Sequence, residues 1–335
     1  MKAFVAHGLN GPDSLSIDDV PAPGALGPGQ IRVSMRAASL NYRDLLLLSG
    51  ALPSKRDLIP CSDGAGEVIE IGSDVWRVKP GDRVALTFNP DWIGGPWQAS
   101  PASAGRGGAV DGVMREQLVV DQHEAVPLPQ HLSFEEGATL PLAGVTAWRA
   151  LCGAAPLLPG MTVLLQGGGG VSVFALQFAK LFGARVIITS SSRERCARLK
   201  TMGADETVDY REVPEWSAAV RKLTDGVGVD LTVEVGGAKT MDQSLASTRA
   251  GGLLALVGLL SGRVNSGSLL ALTHQVDVTQ VRAGSRQDLE AMNRAVAFHK
   301  LRPVIDSRYR FQQLPDALRR LQSGQHLGKI VIGFD

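Results

Sequence analysis

Four consecutive glycines, Gly167, Gly168, Gly169 and Gly170, close the run Val163-Leu164-Leu165-Gln166, and Val171 and Ser172 follow at once. Glycines at such a turn let the backbone bend tightly and approach a pyrophosphate with no Cβ in the way. A helix starting there offers free N–H groups and a partial positive charge to phosphate oxygens. The spacing departs from G-x-G-x-x-G: Gly167 and Gly169 fit, but Ser172 holds the third position, where it is small enough for close helix–strand packing. Roughly 20 residues on, an NAD site usually carries Asp or Glu for the ribose 2′-hydroxyl. This chain reads Thr189-Ser190-Ser191-Ser192-Arg193-Glu194-Arg195 there. Hydroxyls and guanidinium groups suit a 2′-phosphate. Each charge-assisted hydrogen bond contributes about 1.5–3 kcal/mol, so two favour NADP over NAD by roughly 100-fold or more. The same serines suit capping of the next helix, and the two roles are compatible. Glu194 is the one residue of this set that argues for NAD.

A strand, a helix and a second strand must position that turn. Val163, Leu164 and Leu165 form the first strand. Val171, Phe174, Ala175, Phe178 and Phe182 recur at helical spacing, with Gly183 placed as the C-terminal cap. Residues 185–189 form the second strand, which completes a dinucleotide-binding βαβ unit. Further strands are expected at 206–208, 230–234, 252–257 and 279–281, in the alternation of a doubly wound parallel sheet of the Rossmann type. Gly236, Gly237 and Gly258 follow strand ends, on the edge where a nucleotide lies.

The chain before this region reads differently. Strands are expected at 1–6, 31–37, 66–71 and 83–88, punctuated by Gly and Pro turns. Residues 89–112 form a Gly-, Pro- and Ala-rich insertion with Trp92 and Trp97, either a loop over a site or an irregular lobe. Ser133 and Glu136 form a capping box for a helix, which residues 139–152 continue. From about residue 288 come a helix, an extended segment and a last strand at 329–334.

The 335 residues allow two domains, and 44% hydrophobic content allows sizeable cores. A net charge of +1 gives no reason to expect nucleic acid or a membrane surface. The apolar run at 253–260 is too short to span a bilayer. The N-terminus reads as a strand, not a signal peptide. Three well-separated cysteines fit reduced thiols in the cytoplasm.

Several further stretches complete a pattern: Ala37-Ala38-Ser39-Leu40-Asn41-Tyr42-Arg43-Asp44, Pro60-Cys61-Ser62-Asp63-Gly64-Ala65-Gly66, Lys79-Pro80-Gly81-Asp82, Leu140-Pro141-Leu142-Ala143-Gly144-Val145-Thr146, Gly203-Ala204-Asp205 and Gly328-Lys329-Ile330-Val331. In these, over nearly its whole length, the chain resembles the medium-chain dehydrogenase/reductase superfamily, in its zinc-independent quinone oxidoreductase and enoyl reductase branch. The resemblance implies an α/β protein, with a GroES-like β-rich catalytic domain and a Rossmann domain around an active-site cleft. It implies a catalytic domain at 1–125, an NADP-binding domain at 126–287 and a return to the catalytic domain at 288–335. In the zinc members of the superfamily, a cysteine stands at the position of Asn41, a His-Glu pair at Ser62-Asp63 and a further ligand near Leu142. None of these residues here makes a good zinc ligand set. Hydride transfer is then expected to a quinone or an α,β-unsaturated carbonyl compound, polarised by hydrogen bonds. An alcohol dehydrogenase or carbonyl reductase on the same scaffold, and a non-catalytic, crystallin-like NADPH-binding protein, are the alternatives.

By the same resemblance, Asn41, Tyr42 and Asp44 are the catalytic candidates. Tyr42 donates or relays a proton, Asn41 holds the nicotinamide or the carbonyl, and Asp44 orients a neighbour such as Arg43. The octet equally reads as a capped helix start. Cofactor contacts are expected from Thr146, the Gly167–Gly170 turn, Val171, Ser190, Ser191, Arg195, Tyr210, Gly236, Gly258 and Lys329, with NADP(H) the cofactor. A homodimer through the Rossmann domain is expected, with the apolar stretch 267–272 as a candidate contact.

Overall fold

The computed structural model describes residues 1–335 except 56, 101–104, 259, 263–266 and 335; over 267–270 it describes the backbone alone. Two compact units result: Met1–Val145 with Gly284–Asp335, and Thr146–Ala283. Residues 126–145, expected in the nucleotide-binding domain, thus cluster with the first unit.

The second unit is built on six parallel strands. Their order is Glu206–Asp209, Arg185–Ser190, Thr162–Gln166, Val229–Glu234, Thr248–Leu256, Asp277–Gln280. The earliest of these strands, Thr162–Gln166, lies in the middle, and the connections leave it in opposite directions on its two sides. That is the switch point at which a doubly wound sheet opens a crevice beyond its strand ends. Val163, Leu164 and Leu165 are fully buried, as a central parallel strand covered on both faces requires. Of the helix face read from the sequence, Gly170–Leu181 buries Phe174, Ala175 and Phe178, while Val171 and Phe182 are half-buried. The Phe178 ring meets Trp148 edge-on at 5.6 Å and stacks on Phe174 at 5.8 Å. Burying each such ring contributes about 1.5–3 kcal/mol. Gly183, at φ +73°, ends the helix as expected.

The first unit carries a sheet in the order Ile305–Arg310, Lys329–Gly333, Gln30–Ser39, Asp63–Ile71, Arg83–Leu86, Ala125–Pro127, and Gln117–Asp121 also pairs with Gln30–Ser39. Lys2–Ala6 and Leu15–Asp19 form a separate antiparallel pair. The strands Leu15–Asp19, Gln117–Asp121 and Ala125–Pro127 and the helix Leu314–Gln322 were not anticipated. Two registers fix the surroundings of Asn41. Ser39 lies opposite Asp63 on one side and opposite Val331 on the other, both antiparallel. Continuing two residues past Ser39 brings Asn41 level with Lys329 and Cys61.

The helix expected to run from Ser133 to 152 is broken. Its capping box forms, with Ser133 Oγ accepting from Glu136 N–H, but the first helix is Phe134–Ala138. A wide π turn spans Leu140–Gly144, and a second helix runs Val145–Cys152. Pro141 has no N–H, and its ring crowds the preceding turn, so the α ladder cannot pass through it. Among the described residues, no helix is long and apolar enough to cross a membrane.

Candidate functional site

In the first unit, helix Tyr42–Leu48 starts at Asn41, whose backbone is extended at φ −131°, ψ 150°. Asp44 Oδ2 accepts the Asn41 N–H at 2.8 Å, so this carboxylate caps the helix start. The neighbour that Asp44 holds by this hydrogen bond is Asn41. Arg43 Nη1 donates to Arg106 O at 3.0 Å, and its guanidinium lies over the Phe88 ring at 5.0 Å. Asp44 is fully buried with Oδ1 unpartnered, and burial pushes its carboxyl up to about 6. Tyr42 turns outward and is 42% exposed. The octet therefore splits into a buried pair and an outward phenol.

The strand registers on either side of Ser39 deliver a second set of residues to Asn41. Lys329 is buried, and its Nζ donates to Leu40 O and to Asn41 Oδ1, each at 2.6 Å. Asn41 Nδ2 donates to Ser62 Oγ at 3.5 Å, and Ser62 Oγ donates to Asp63 Oδ1 at 2.8 Å. Asp63 Oδ2 accepts the Leu142 N–H at 3.2 Å. Burial drives the Lys329 ammonium below its ordinary pKa and the Asp63 carboxyl above its own; each opposes the shift of the other. Burial also pushes the Cys61 thiol well up, so it is no thiolate nucleophile.

The insertion at 89–112 supports this corner from behind; residues 101–104 of it lie outside the described residues. Gly112 N–H donates to Ile59 O at 2.7 Å, and Val113 N–H donates to Cys61 O at 3.0 Å. A Cβ on Gly112 would meet Pro60 O at 2.1 Å, so only glycine permits this approach. The Trp92 and Ile93 carbonyls accept N–H groups of Arg286 and Gln287, at the start of helix Arg286–Phe298.

In the second unit, Gly167 has φ +68°, and a Cβ on it or on Gly169 would meet nothing within 4 Å. The turn is therefore an open cradle at the start of a twelve-residue helix. Gly169 is the N-cap and brings no side chain to the first-turn N–H groups. Gly168 is buried, while Gly170 and Val171 are half-buried. Ser172 Oγ donates to Gln166 O at 2.6 Å, which explains how serine serves at the third position.

Sequence reasoning missed the pair that braces this cradle. Glu234, fully buried, ends the strand beside Gln166. Gln166 Nε2 donates to Glu234 Oε2 at 2.7 Å and to Ser244 Oγ at 2.6 Å. Glu234 Oε1 accepts from Gly236 N–H at 2.6 Å, Gly237 N–H at 2.8 Å and Thr240 Oγ1 at 2.7 Å. Gly258 N–H donates to Glu234 O at 3.1 Å. The visible signal is slight: a polar residue, Gln166 or Glu234, ends each of the two strands on either side of the switch point.

At the end of the second strand, Ser190 is buried and its Oγ has no partner among the described residues. Ser191 is partly exposed, and Ser192 Oγ accepts the Arg195 N–H at 3.2 Å as a helix cap. Arg193 is paired with Glu212 at 2.6 Å, while Arg195 is half-buried. Tyr210 N–H donates to Ser190 O at 3.0 Å, which holds the half-exposed Tyr210 ring beside that strand end. The Ser190 hydroxyl and the Tyr210 ring thus share one strand end, and Arg195 lies in the first turn of the helix that follows. Thr146 lies buried in helix Val145–Cys152.

Comparison with known proteins matches these units to two family profiles. The profile of the alcohol dehydrogenase GroES-like domain covers residues 27–130, and that of the zinc-binding dehydrogenase covers 170–297. The chain is 36% identical to a zinc-type alcohol dehydrogenase-like protein of Schizosaccharomyces pombe, over 99% of both chains. It is similar to the solved structure of an NAD-dependent alcohol dehydrogenase, at 32% identity, full coverage of both chains and a TM-score of 0.90. It also matches the quinone oxidoreductase of Pseudomonas syringae pv. Tomato, at 30% identity, 99% coverage of both chains and a TM-score of 0.83.

Two of those descriptions name zinc, and the residues here do not fit it. The positions of zinc ligands in zinc members correspond to Asn41, Ser62, Asp63 and Leu142, which in this chain form a closed hydrogen-bonded set. Their donor groups are an amide, a hydroxyl, one carboxylate and a main-chain N–H. An ammonium, itself a cation, stands 2.6 Å from the amide oxygen. Zinc sites use Cys, His and acid ligands. Among the described residues, no group of three or more His, Cys, Asp or Glu is arranged to hold a metal ion.

Proposed function

The chain belongs to the medium-chain dehydrogenase/reductase superfamily of oxidoreductases, and on that premise we propose that it is a zinc-independent, NADP(H)-dependent enzyme that reduces quinones or α,β-unsaturated carbonyl compounds. The observation that carries this reading is the series Lys329, Asn41, Ser62, Asp63, in which an oriented amide backed by a buried cation stands at the metal-ligand positions. An amide N–H polarises a carbonyl oxygen by hydrogen bonding. That suffices where the developing charge spreads through a conjugated acceptor. It serves alcohol oxidation poorly, because no Lewis acid lowers the hydroxyl pKa.

When bound, the nicotinamide supplies the hydride. The Gly167–Gly170 turn and Val171, in the first turn of the helix, hold the pyrophosphate. Ser190, Ser191, Arg195 and Tyr210 hold the 2′-phosphate end, and Thr146, Gly236 and Gly258 serve the nicotinamide end. The unpartnered Ser190 hydroxyl and the lack of an acid at that strand end support NADP(H) over NAD. Asn41 donates to the acceptor oxygen, Tyr42 is the exposed proton donor, and Asp44 fixes the Asn41 backbone. Lys329, counted among the cofactor contacts from the sequence, acts in this reading through Asn41, which its ammonium contacts.

A homodimer through the second unit goes with this reading. Strand Asp277–Gln280 lies at one end of the sheet and is largely exposed. Of the apolar stretch 267–272, the side chains of 267–270 lie outside the described residues, and Leu272 is 74% exposed. The alcohol dehydrogenase relatives favour a second reading, carbonyl reduction on the same scaffold. Turnover of NADPH with a simple enone and with a simple quinone, in a metal chelator, tests the proposal.

A further inference from the structure

The buried polar series in the first unit has one direction only. An ammonium has donors and no acceptor; a carboxylate has acceptors and no donor. Lys329 Nζ, 2.6 Å from the Asn41 side chain, therefore faces its oxygen, and Nδ2 is turned toward Ser62 and the Asp63 carboxylate. Ser62 gives its only proton to Asp63 and so presents lone pairs to Asn41. Every amide and hydroxyl between the cation and the anion is set by the two ends. Of the four residues, Asn41 keeps the most exposure, at 9%, against 3% for Lys329 and none for Ser62 and Asp63.

We propose that Lys329 is a positioning residue for Asn41: its ammonium holds the amide oxygen, which fixes the N–H₂ group as the donor end of Asn41 and polarises it. The inference rests on the reading of Asn41 as the group that polarises the acceptor. The competing account makes Lys329 only a counter-ion for the carboxylates of Asp63 and Asp44, the acidic groups buried around it with the Cys61 thiol. The two accounts part when cation and anion are removed together. Lys329→Met alone strands Asp63 and risks the fold; the double variant Lys329→Met/Asp63→Asn leaves neither charge unpaired by the other, and adding Asp44→Asn removes the second carboxylate.

The experiment uses the full chain with NADPH and an enone, and it reads kcat, the KM for NADPH, thermal melting and the side-chain NH₂ signals of Asn41 in protein labelled with ¹⁵N-asparagine. Asn41→Ser identifies those signals by their loss. The positioning role predicts a double variant that melts cooperatively and keeps its NADPH KM within about threefold. Its kcat falls at least tenfold and its Asn41 signals shift, while Lys329→Arg, still a donor-only cation, retains more turnover than Lys329→Met. A double variant with wild-type kcat, or with unmoved Asn41 signals, overturns the proposal. If the wild type itself does not turn over the enone, the functional reading fails, and the Asn41 signals alone decide this inference.

Discussion

Lys329 Nζ stands 2.6 Å from Asn41 Oδ1, although 288 positions separate the two residues in the chain. The contact exists because the last strand returns to pair antiparallel with Gln30–Ser39, in the register Val331 to Ser39. A cation from one end of the chain is thereby fixed against an amide from the other.

Asn41→Ala tests the amide directly. Loss of one donor to a developing oxyanion costs about 10²–10³ in kcat. The expected result is a kcat about 100-fold lower with an enone, a near-normal KM for NADPH and a lowered melting temperature, because the buried Lys329 ammonium loses an acceptor. A kcat within twofold of wild type would remove Asn41 from the chemistry.

Asp44 makes a prediction in pH. Its carboxyl titrates at about 6 in the folded chain, above its ordinary value of about 3.8. The folded state therefore binds more protons than the unfolded state between these values, and stability falls as pH rises through the window. That separation between folded and unfolded chains corresponds to about 3 kcal/mol. Asn can still accept the Asn41 N–H, so Asp44→Asn is expected to remove this loss: relative to wild type it gains up to about 3 kcal/mol between about pH 4 and pH 7. Denaturant unfolding at both pH values reads the difference, and parallel pH dependences would contradict it.

Much of the second unit was legible because its elements are local. The strand, the glycine turn, the helix with its Phe174 and Phe178 face and the next strand all lie within thirty residues, and each period shows. The break at Leu140–Gly144 hid in an apolar run, although Pro141 was visible as its cause. In the active corner, the octet around Asn41 and Asp44 stands out by residue type, and Ser62, Asp63 and Leu142 align as zinc-ligand positions. Their joining into one series with Lys329 was not legible, since it depends on strand registers and not on spacing. Glu234 escaped for the same reason: its partner Gln166 lies 68 positions away.

The proposed NADP(H) preference makes a prediction at the second strand end. Two charge-assisted bonds predict a kcat/KM for NADPH roughly 100-fold above that for NADH, and Arg195→Gln should lower this ratio by about tenfold. Equal use of both cofactors by the wild type would refute the assignment of Ser190, Ser191 and Arg195.

Association is predicted at the edge strand Asp277–Gln280, where Val278 is 44% exposed. Light scattering should give a dimer for the wild type and a monomer for Val278→Lys, because an edge lysine blocks strand pairing. A monomeric wild type would exclude the dimer.

Product analysis after incubation with NADPH and a simple enone, in a metal chelator, tests the central claim most directly. The account predicts the saturated ketone, formed at the same rate with and without the chelator. An allylic alcohol, or activity that the chelator abolishes, would contradict it.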